Sequence, residues 1–367
     1  MRVSLGALRE NARTLREHVA PAKAAFVVKA NAYGHGLVPV AQAIATEGHA
    51  FCVYSIEEGL TLRAAQIDAP ILVLGPSPVE LLHQALAADL QITLWDAGTY
   101  LDTVANAARR RQTRFPVHIK IDTGLHRLGL DPKEAPKAIA RCMQTPGIAV
   151  AGIFSHLASA EELDLVFTLA QVERLDALAR AIDLNGAAEK PARHIAASAA
   201  AMLWPQTRLD LVRIGIALYG LWPSKESRAA MTTDLDLHPA LSFESRIIAV
   251  RKVESGAAIG YGGSFTALRA MRIGVVPLGY ADGIPRLLSN RGAFIVEGKR
   301  CPIVGRVCMN MTLIDLGQTG ARPGSRVILI GSEDGATVSA DDWADWAETI
   351  NYEIVTRLPA TLPRIYE

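Results

Sequence analysis

Short apolar runs alternate with longer helical patterns over about the first 220 residues of the chain. Eight of these runs are interpreted as strands, namely AAFVVKA, AFCVYS, PILVLG, LQITLW, FPVHIKID, IAVAGIFSH, ARHIAAS and LDLVRIG. They are rich in Val and Ile and do not alternate strictly with polar residues, which is typical of parallel strands buried on both faces. The segments between them, such as LVPVAQAIATEG, SPVELLHQALAA and LVFTLAQVERLDALARAI, have helical periodicity. The pattern predicts an α/β fold and favours a closed (β/α)8 barrel of the TIM type over an open doubly wound sheet.

A chain of 367 residues is too long for one ordinary domain, and its pattern changes after about residue 230. There the β-like runs ALSFESRIIAVRKVESG, RIGVVPLGY, AFIVEGKRCPIVGRV and SRVILIG follow one another closely. Few helical patterns separate these runs, which indicates a mainly β domain. We therefore predict a barrel domain over residues 1–230 and a mainly β domain over residues 231–367.

The composition limits the partners that the protein is expected to have. A net charge of +1 gives no electrostatic reason to expect nucleic acid or an acidic membrane surface. No apolar run has the length of a bilayer span, and the amphipathic N-terminus does not resemble a secretory signal. The four cysteines form no CxxC pair, and no Cys/His cluster has the spacing of a zinc site. We expect reduced thiols, no metal and a cytoplasmic location.

The segment FVVKANAYGHG ends an apolar run on Lys29 and continues with two glycines, Gly34 and Gly36, around a histidine. In a (β/α)8 barrel the C-terminal ends of the strands form the catalytic face. Desolvation lowers the pKa of a lysine, which makes its free amine available for Schiff-base chemistry. The glycines permit a close approach to the backbone, and Tyr33 offers a hydroxyl. A solvated lysine at a strand end is the alternative that the local sequence leaves open.

The last two predicted barrel strands end on residues that suit a phosphate group. The seventh strand runs into Ser198, and the eighth runs through Arg213 into Gly215 and Ile216. Loops at these places in the fold often bind phosphate with backbone N–H groups and a hydroxyl. Taken singly, these residues indicate only turns. Combined with a lysine on the first strand, they point to covalently held pyridoxal 5′-phosphate as the cofactor.

Seven segments, in order along the chain, resemble the alanine racemase family: VVKANAYGHG, DTGLHRLG, FSHLASAE, VRIGIALYG, IGYGGSF, LGYADG and VCMN. The resemblance covers essentially the whole chain. It implies a pyridoxal-phosphate enzyme that interconverts L-alanine and D-alanine, with an N-terminal (β/α)8 barrel and a C-terminal β domain. It also implies a head-to-tail homodimer whose two active sites are shared between the subunits.

The resemblance implies roles for residues around the cofactor. Lys29 matches the lysine that forms the Schiff base and acts as one of two catalytic bases. Arg213 matches the arginine that faces the pyridine nitrogen, and His156 matches the histidine that orients this arginine. The positions that match phosphate-binding residues are Tyr33, Ser198, Gly215 and Ile216.

Further positions match residues around the substrate. Arg127 matches an arginine near the phenolic oxygen of the cofactor and the substrate carboxylate. Tyr280 and Met309 match residues that line the substrate entrance and the carboxylate site. Lys120, in HIKIDTG, matches a position where family members can carry a carbamylated lysine that hydrogen-bonds the nearby arginine. A plain barrel-interior lysine paired with Asp122 is the alternative, and the sequence leaves both open.

Tyr261, in IGYGG, matches the second base. Racemisation removes a proton from one face of Cα and delivers one to the other, so two bases on opposite faces serve it better than one. A tyrosine has an ordinary pKa near 10 and is a poor base at neutral pH, so a cation must favour its phenolate. We expect Arg213 to do this through His156. Because an arginine cannot accept a proton, Arg213 also keeps the pyridine nitrogen largely unprotonated.

Two positions depart from the family pattern. Asn310 stands where many members have an aspartate, which removes a charge beside the carboxylate site. Ala360 stands where some members place a tyrosine that reaches towards the phosphate, so that hydroxyl contact is absent. Neither change affects the two predicted bases.

Three other functions are compatible with parts of this pattern. An amino-acid decarboxylase on the same fold needs an acidic partner for the pyridine nitrogen, and Arg213 argues against it. A non-catalytic cofactor-binding protein needs only a barrel, and the second domain argues against it. A racemase of broader range, acting on serine or larger amino acids, depends on the shape of the pocket and stays open.

Overall fold

The computed structural model describes residues 1–181, 190–232 and 235–367. Within these residues, strand β1 (Arg2–Val3) and helix α1 (Leu5–Val19) are followed by a closed barrel of eight strands. Adjacent barrel strands are parallel, and the first pairs with the last to close the barrel. The strands are β2 (Lys23–Val27), β3 (Ala50–Val53), β4 (Ile71–Val73), β5 (Leu90–Leu94), β6 (Phe115–Lys120), β7 (Ile148–Phe154), β8 (Ala192–His194) and β9 (Leu211–Ile214). The predicted (β/α)8 barrel is confirmed.

The barrel strands are buried on both faces. All residues of β3, β4 and β9 are buried, which explains why the sequence shows continuous apolar runs there. Four basic side chains on barrel strands are also buried, namely His118, Lys120, His194 and Arg213. Because buried polar groups need hydrogen-bond partners, these four mark the places where the barrel interior has a special structure.

Helices connect the barrel strands, and one further helix follows the last of them. They are α2 (Lys29–Tyr33), α3 (Leu37–Ala43), α4 (Ile56–Ala64), α5 (Leu82–Ala87), α6 (Thr99–Arg110), α7 (Ala135–Gln144), α8 (Val166–Ala181), α9 (Ser198–Leu203) and α10 (Lys225–Ala230). The pattern that predicts a helix up to Ile182 corresponds to α8, and Ile182 itself lies outside the described residues. Single 3-10 turns lie at Val79–Leu81, Pro205–Thr207 and Ile216–Tyr219.

The second half of the chain is mainly β, as predicted. Its strands are β10 (Leu241–Arg246), β11 (Ala249–Val253), β12 (Ala258–Ile259), β13 (Phe265–Thr266), β14 (Met271–Val276), β15 (Ala293–Val296), β16 (Lys299–Pro302), β17 (Thr312–Asp315), β18 (Arg326–Glu333), β19 (Ala336–Val338) and β20 (Ile365–Tyr366). They form one sheet in the order β16-β15-β18-β10-β1-β20 with β19 on β18, a second in the order β11-β14-β17, and the hairpin β12-β13. Helices α11 (Ala340–Trp346) and α12 (Asn351–Thr356) and the 3-10 turns Tyr261–Gly263, Tyr280–Asp282 and Arg286–Leu288 complete it.

The N-terminal strand β1 belongs to this β sheet and not to the barrel. Arg2 pairs antiparallel with Ser242 of β10 and parallel with Ile365 of β20. The strand was not predicted from the sequence, because two residues are too short to show a period. The chain therefore begins in the β sheet before it enters the barrel.

Two compact units result. The barrel unit comprises residues 6–32 and 37–238, and the β unit comprises residues 1–5, 33–36 and 239–367. The boundary between residues 230 and 231 stays a prediction. Among the described residues, no helix is long and apolar enough to span a bilayer.

The two glycines after Lys29 are approached by the C-terminal part of the β unit. A Cβ atom at Gly34, where φ is +82°, would collide with the carbonyl oxygen of Val355 in α12. One at Gly36, where φ is +109°, would collide with the hydroxyl of Tyr366 in β20. The close backbone approach that the sequence indicates is therefore present, and the approaching groups belong to this chain.

Replacing Gly34 by alanine is expected to lower the free energy of unfolding by about 2–4 kcal/mol. The cost of left-handed backbone strain and the cost of the collision with a backbone oxygen both contribute to this loss. Gly256→Ala is the matched control, since Gly256 has φ +84° and nothing within 4 Å of a built Cβ. It isolates the backbone strain, at about 1–2 kcal/mol. Urea unfolding followed by tryptophan fluorescence measures both, and equal losses would rule out the collision as a source of instability.

Candidate active site

Lys29 lies at the C-terminal rim of the barrel, two residues after β2 ends. The next four residues, 30–33, have φ between 51° and 54°, so α2 is a left-handed turn. Left-handed backbone costs L-residues roughly 1–2 kcal/mol each, so side chains must hold it. Asn31 Oδ1 accepts from the N–H of Leu37 at 2.9 Å, and the Glu58 carboxylate accepts from the N–H groups of Ala30 at 2.7 Å and Tyr54 at 2.8 Å.

The Lys29 amine lies in a partly desolvated and cationic environment. Burial is the main cause that lowers its pKa, and the charge of Arg127 adds to the effect. Glu58 opposes this shift, and Arg213 contributes to it weakly. The neutral amine, which is the nucleophilic and basic form, is therefore more available at Lys29 than at an exposed lysine.

Arg213, on β9, is buried in the barrel unit, with 3% of its surface exposed. Its Nη1 donates to Nδ1 of His194 at 2.7 Å, and its Nη2 donates to the carbonyl oxygen of Ser155 at 2.8 Å. Nη2 also lies 3.1 Å from Nδ1 of His156 and 3.2 Å from the carbonyl oxygen of Ile195. Burial lowers the pKa of Arg213 to about 10, so the group is a cation at neutral pH. Its Nε–H has no partner among the described residues and can donate to a ligand.

His156 follows β7 and lies beside this guanidinium, as the sequence indicates. Burial is the first cause that holds its pKa well below the usual value, and the charge of Arg213 is the second. The ring is therefore neutral, and its Nδ1 accepts the hydrogen bond from Arg213. A neutral ring with Nδ1 as acceptor carries its proton on Nε2.

Ser198 joins the loops that follow β8 and β9. Its Oγ accepts from the N–H of Gly215 at 2.9 Å and from that of Ala217 at 3.4 Å. The N–H of Ile216 has no hydrogen-bond partner in the part of the chain that the structure describes. Ser198, Gly215 and Ile216 are thus brought together, although Ser198 begins α9 and does not end a strand. A hydroxyl with adjacent backbone N–H groups is a suitable arrangement for a phosphate.

The loop after β6 presents Arg127. The carboxylate of Asp122 accepts from the backbone N–H groups of Gly124, His126 and Arg127 at 3.0 to 3.1 Å. Burial alone would raise the pKa of Asp122, but these hydrogen bonds outweigh it and the pKa is lowered. Among the described residues, no hydrogen bond or ion pair holds the exposed guanidinium of Arg127, which leaves it available for an anion.

Lys120 is buried at the end of β6. Its Nζ lies 4.8 Å from the ring centroid of Phe154. Burial first, and then the charges of Arg213 and Arg127, lower its pKa to about 7, while Asp122 opposes the shift. No ion pair joins Lys120 and Asp122 within the described residues, because the oxygens of Asp122 are taken by backbone N–H groups. A neutral amine is thus well populated at neutral pH.

Several polar residues that support the site were not predicted from the sequence. Gln171, on α8, is fully buried and joins the loops after β6 and β7. Its Nε2 donates to the carbonyl oxygen of His156 at 3.1 Å and to Oγ1 of Thr123 at 3.2 Å. His118 and His194 were missed as well, although each is a histidine within an apolar strand run. A histidine within an apolar strand run is the sequence signal that could have identified His118 and His194.

Tyr261 lies in the β unit, at the tip of the β12–β13 hairpin. Its side chain is 69% exposed. The hairpin is short, but it is anchored because Ile259 packs into a buried cluster with Met271, Ile273 and Val304. Tyr261 is therefore an exposed tyrosine on an anchored hairpin of the β unit.

Tyr280 and Met309 are neighbours in the β unit. The N–H of Tyr280 donates to the carbonyl oxygen of Cys308 at 3.0 Å, and that of Ala281 donates to the carbonyl oxygen of Met309 at 2.9 Å. Both Tyr280 and Met309 are exposed. Tyr280 also lines an open cavity of about 690 Å³ that includes Arg286 and Ile354.

Tyr33, in the β unit, has its ring centroid 6.3 Å from that of Tyr352. The other predicted site residues divide between the two units. The barrel unit contains Lys29, Lys120, Arg127, His156, Ser198, Arg213, Gly215 and Ile216, and the β unit contains Tyr33, Tyr261, Tyr280 and Met309.

Comparison with known protein families agrees with this arrangement. Residues 3–223 match the model of the alanine racemase N-terminal domain, and residues 240–366 match that of the C-terminal domain. The alanine racemase of Carboxydothermus hydrogenoformans is 39% identical over 366 residues, which is 99% of this chain and 98% of that protein. The alanine racemase of Thermobifida fusca is 39% identical over 375 residues, covering 100% and 97% of the two chains.

Solved structures give the same result. The alanine racemase of Streptomyces lavendulae superposes with a TM-score of 0.93 at 34% identity, over 100% of this chain and 96% of that one. The Bacillus anthracis alanine racemase with bound L-Ala-P superposes with a TM-score of 0.90 at 33% identity, over 100% and 94%. Both domain matches and full-length identity well above 30% lead to one conclusion: the chain belongs to the alanine racemase family.

Proposed function

We propose that the protein interconverts L-alanine and D-alanine with pyridoxal 5′-phosphate as its cofactor. The observation that carries the proposal is the buried Arg213 cation at the rim that also bears Lys29. Its Nε–H lacks a partner among the described residues. The Nε–H of Arg213 is accessible and not used within the described residues, so it is available to donate to a ring nitrogen of a ligand.

The residues fit this cofactor. Ser198, Gly215, Ile216 and Tyr33 would hold the phosphate, and Arg213 would face the pyridine nitrogen. The Lys29 amine would form the covalent bond. When bound, the cofactor withdraws electrons from the amino acid, so that the proton at Cα becomes acidic.

Two bases are assigned to the two faces of Cα. The amine of Lys29 takes a proton from one face, and the phenol of Tyr261 gives a proton to the other; the reverse reaction exchanges these roles. We assign the stabilisation of the Tyr261 phenolate to Arg213 acting through His156. The carboxylate of alanine is assigned to Arg127, with Tyr280 and Met309 at the entrance.

Arg213 is also proposed to determine which reaction occurs. At a pKa of about 10 it is a cation at neutral pH and cannot take a proton from the pyridine nitrogen. Arg213 would thereby favour return of the proton to Cα over its delivery elsewhere. Transamination, which would form pyruvate and leave the amino group of alanine on the cofactor, would thereby be suppressed.

Arg213→Glu is expected to raise the ratio of pyruvate formed to alanine racemised by about 10-fold or more, because a carboxylate favours a protonated pyridine nitrogen. Chiral chromatography and a pyruvate assay on the same reaction measure both products. Arg213→Lys keeps a cation and is the matched control. An unchanged ratio in Arg213→Glu would contradict the assigned role.

We propose that Lys120 is carbamylated. The neutral amine adds to CO₂, a nitrogen–carbon bond forms and one proton is released, which places a negative charge between Arg213 and Arg127. With a pKa of about 7, the neutral fraction rises from about one tenth at pH 6 to about nine tenths at pH 8. A carbamate would also replace the positive charge of Lys120, which otherwise lies near the charges of Arg213 and Arg127.

The carbamate is expected to give a carbonyl signal in ¹³C NMR of protein incubated with ¹³C-bicarbonate, stronger at pH 8 than at pH 6. Lys120→Met should lose this signal. Lys133→Met, at an exposed lysine of the same barrel unit, should keep it. A signal that survives in Lys120→Met belongs to another amine and refutes the assignment.

We also propose a cytoplasmic homodimer in which the partner subunit's Tyr261 completes each site. All four cysteines are unpaired thiols, which is the state expected in a reducing compartment. The exposure of the Tyr261 side chain supports its assignment to the site of a partner subunit.

Deuterium exchange at Cα tests the proposed reaction. Incubation of L-alanine in D₂O with the cofactor should give deuterated D-alanine, and incubation without it should not. Exchange with retained L configuration would remove Tyr261 as a working base. Loss of CO₂ would identify a decarboxylase, and turnover of serine at a rate similar to that of alanine would indicate a broader racemase.

A further inference from the structure

A chain of hydrogen bonds runs through the barrel interior to Arg213. The side chain of Gln91, on β5, has its Oε1 2.8 Å from Nε2 of His118. Nδ1 of His118 lies 2.8 Å from Nε2 of His194, and Nδ1 of His194 lies 2.7 Å from Nη1 of Arg213. We call Gln91, His118 and His194 the histidine relay. Both histidines are buried.

The chemistry of arginine fixes the direction of every hydrogen bond in the relay. A guanidinium only donates, so Nδ1 of His194 must be the acceptor. A neutral His194 then carries its proton on Nε2 and donates it to Nδ1 of His118. His118 in turn carries its proton on Nε2 and donates to Oε1 of Gln91. Any other tautomer would make two donors face each other.

Both histidines are neutral because they are buried beside the positive charge of Arg213. Burial first, and then the charge of Arg213, lower the pKa of His118 to about 3 and hold that of His194 well below its usual value. Among the described residues, no carboxylate forms an ion pair with Arg213. A buried cation without a counter-ion depends on aligned dipoles, and each relay bond directs an acceptor towards it.

The backbone leaves room for the relay. A Cβ atom at Gly152, on β7, would collide with Nδ1 of His118. The His194 ring stacks on Phe154, with centroids 4.7 Å apart and planes inclined by 4°. The His118 ring is inclined by 68° to that of His194. Packing and hydrogen bonding therefore hold both rings in one orientation.

We propose that His118 is a positioning residue for Arg213: with Gln91 it fixes the tautomer of His194, so that the guanidinium keeps its direction and its unpartnered Nε–H faces the ligand site. His118 touches neither substrate nor cofactor. The kinetic consequence rests on the proposed racemase function, whereas the tautomers follow from the barrel unit alone.

Histidine NMR tests the relay without any turnover. In ¹⁵N-histidine-labelled protein at pH 7 without substrate, both rings should carry the proton on Nε2 and leave Nδ1 bare. Their signals are assigned by their loss in His118→Asn and His194→Gln. His118→Asn retains an acceptor near the Nδ1 position, so the tautomer of His194 should be kept. His118→Leu removes that acceptor and should shift the Nε2 signal of His194 or mix its tautomers.

Two milder variants keep the test decisive if His118→Leu does not fold. Gln91→Leu removes the distal acceptor and should alter the Nε2 signal of His118. Gly152→Ala displaces the His118 ring without removing it and should weaken the coupling to His194. A His194 ring protonated on Nδ1 in the wild type, or one indifferent to all three changes, overturns the proposal.

Kinetics of the holoenzyme provide a second measurement. His118→Leu should lower kcat by about 10-fold with little change in KM, as outer partners of a site commonly do. It should also raise the proportion of pyruvate formed, and His118→Asn should restore most of both properties. His83→Gln, on the exposed face of α5, is the control. If the wild-type holoenzyme does not racemise alanine, the proposed function fails, while the NMR result still decides the relay.

Discussion

Lys29→Ala is expected to lower the rate of alanine racemisation by at least about 10⁴-fold, because it removes both the covalent attachment and one of two bases. The structure gives the physical reason for the choice of this lysine. Its amine lies at the barrel rim with a pKa lowered mainly by burial and secondly by Arg127. Borohydride reduction of the wild-type holoenzyme should attach the cofactor to the peptide that contains Lys29, and the variant should give no such peptide.

Lys23→Ala is the matched control for this substitution. Lys23 begins the same strand at the opposite end and is exposed, so its loss leaves the rim unchanged. The activity and the cofactor absorption of the Lys23→Ala enzyme should equal those of the wild type. A Lys29→Ala enzyme that keeps more than a tenth of the activity would show that another group carries the chemistry.

Tyr261→Phe is expected to lower racemisation by about 10²- to 10⁴-fold, because the phenol hydroxyl is the second proton carrier. The effect should be asymmetric. Lys29 can still exchange the Cα proton of one enantiomer with D₂O, so deuterium should enter that enantiomer without inversion. Proton NMR combined with chiral analysis measures exchange and inversion separately. Equal loss of exchange in both enantiomers would count against a role confined to one face.

Mixing the two inactive variants tests the shared site. If each site uses Lys29 of one subunit and Tyr261 of its partner, a mixed dimer of Lys29→Ala and Tyr261→Phe has one intact site. Statistical exchange of subunits should then restore about a quarter of the wild-type activity. No recovery, under conditions where subunit exchange is demonstrated by mass, would place both bases in one chain.

The sequence predicted those features that repeat locally. Continuous Val- and Ile-rich runs between helical patterns indicate parallel strands buried on both sides, and eight of them close into the barrel that the structure contains. The rim positions of Lys29, Ser198 and Arg213 followed from the same pattern, since the fold places the ends of its strands on one face. The boundaries were less accurate, because Lys29 lies in a left-handed turn beyond its strand.

The sequence did not reveal features that depend on residues far apart in the chain. His118 and His194 are 76 positions apart and become partners only because β6, β7 and β8 are neighbours in the closed barrel. Strand β1 pairs with β10 and β20, more than 230 residues later. Neither relation leaves a period or a motif in the local sequence.

The sequence by itself determined the barrel, the mainly β second half and the identity of the residues assigned to the chemistry. The tertiary structure alone decided how the buried cation at Arg213 is stabilised. The reason is physical: burial of apolar runs is encoded by local periodicity, whereas a buried charge without a carboxylate depends on the direction of each donor and acceptor around it. Those directions exist only once distant strands have been brought side by side.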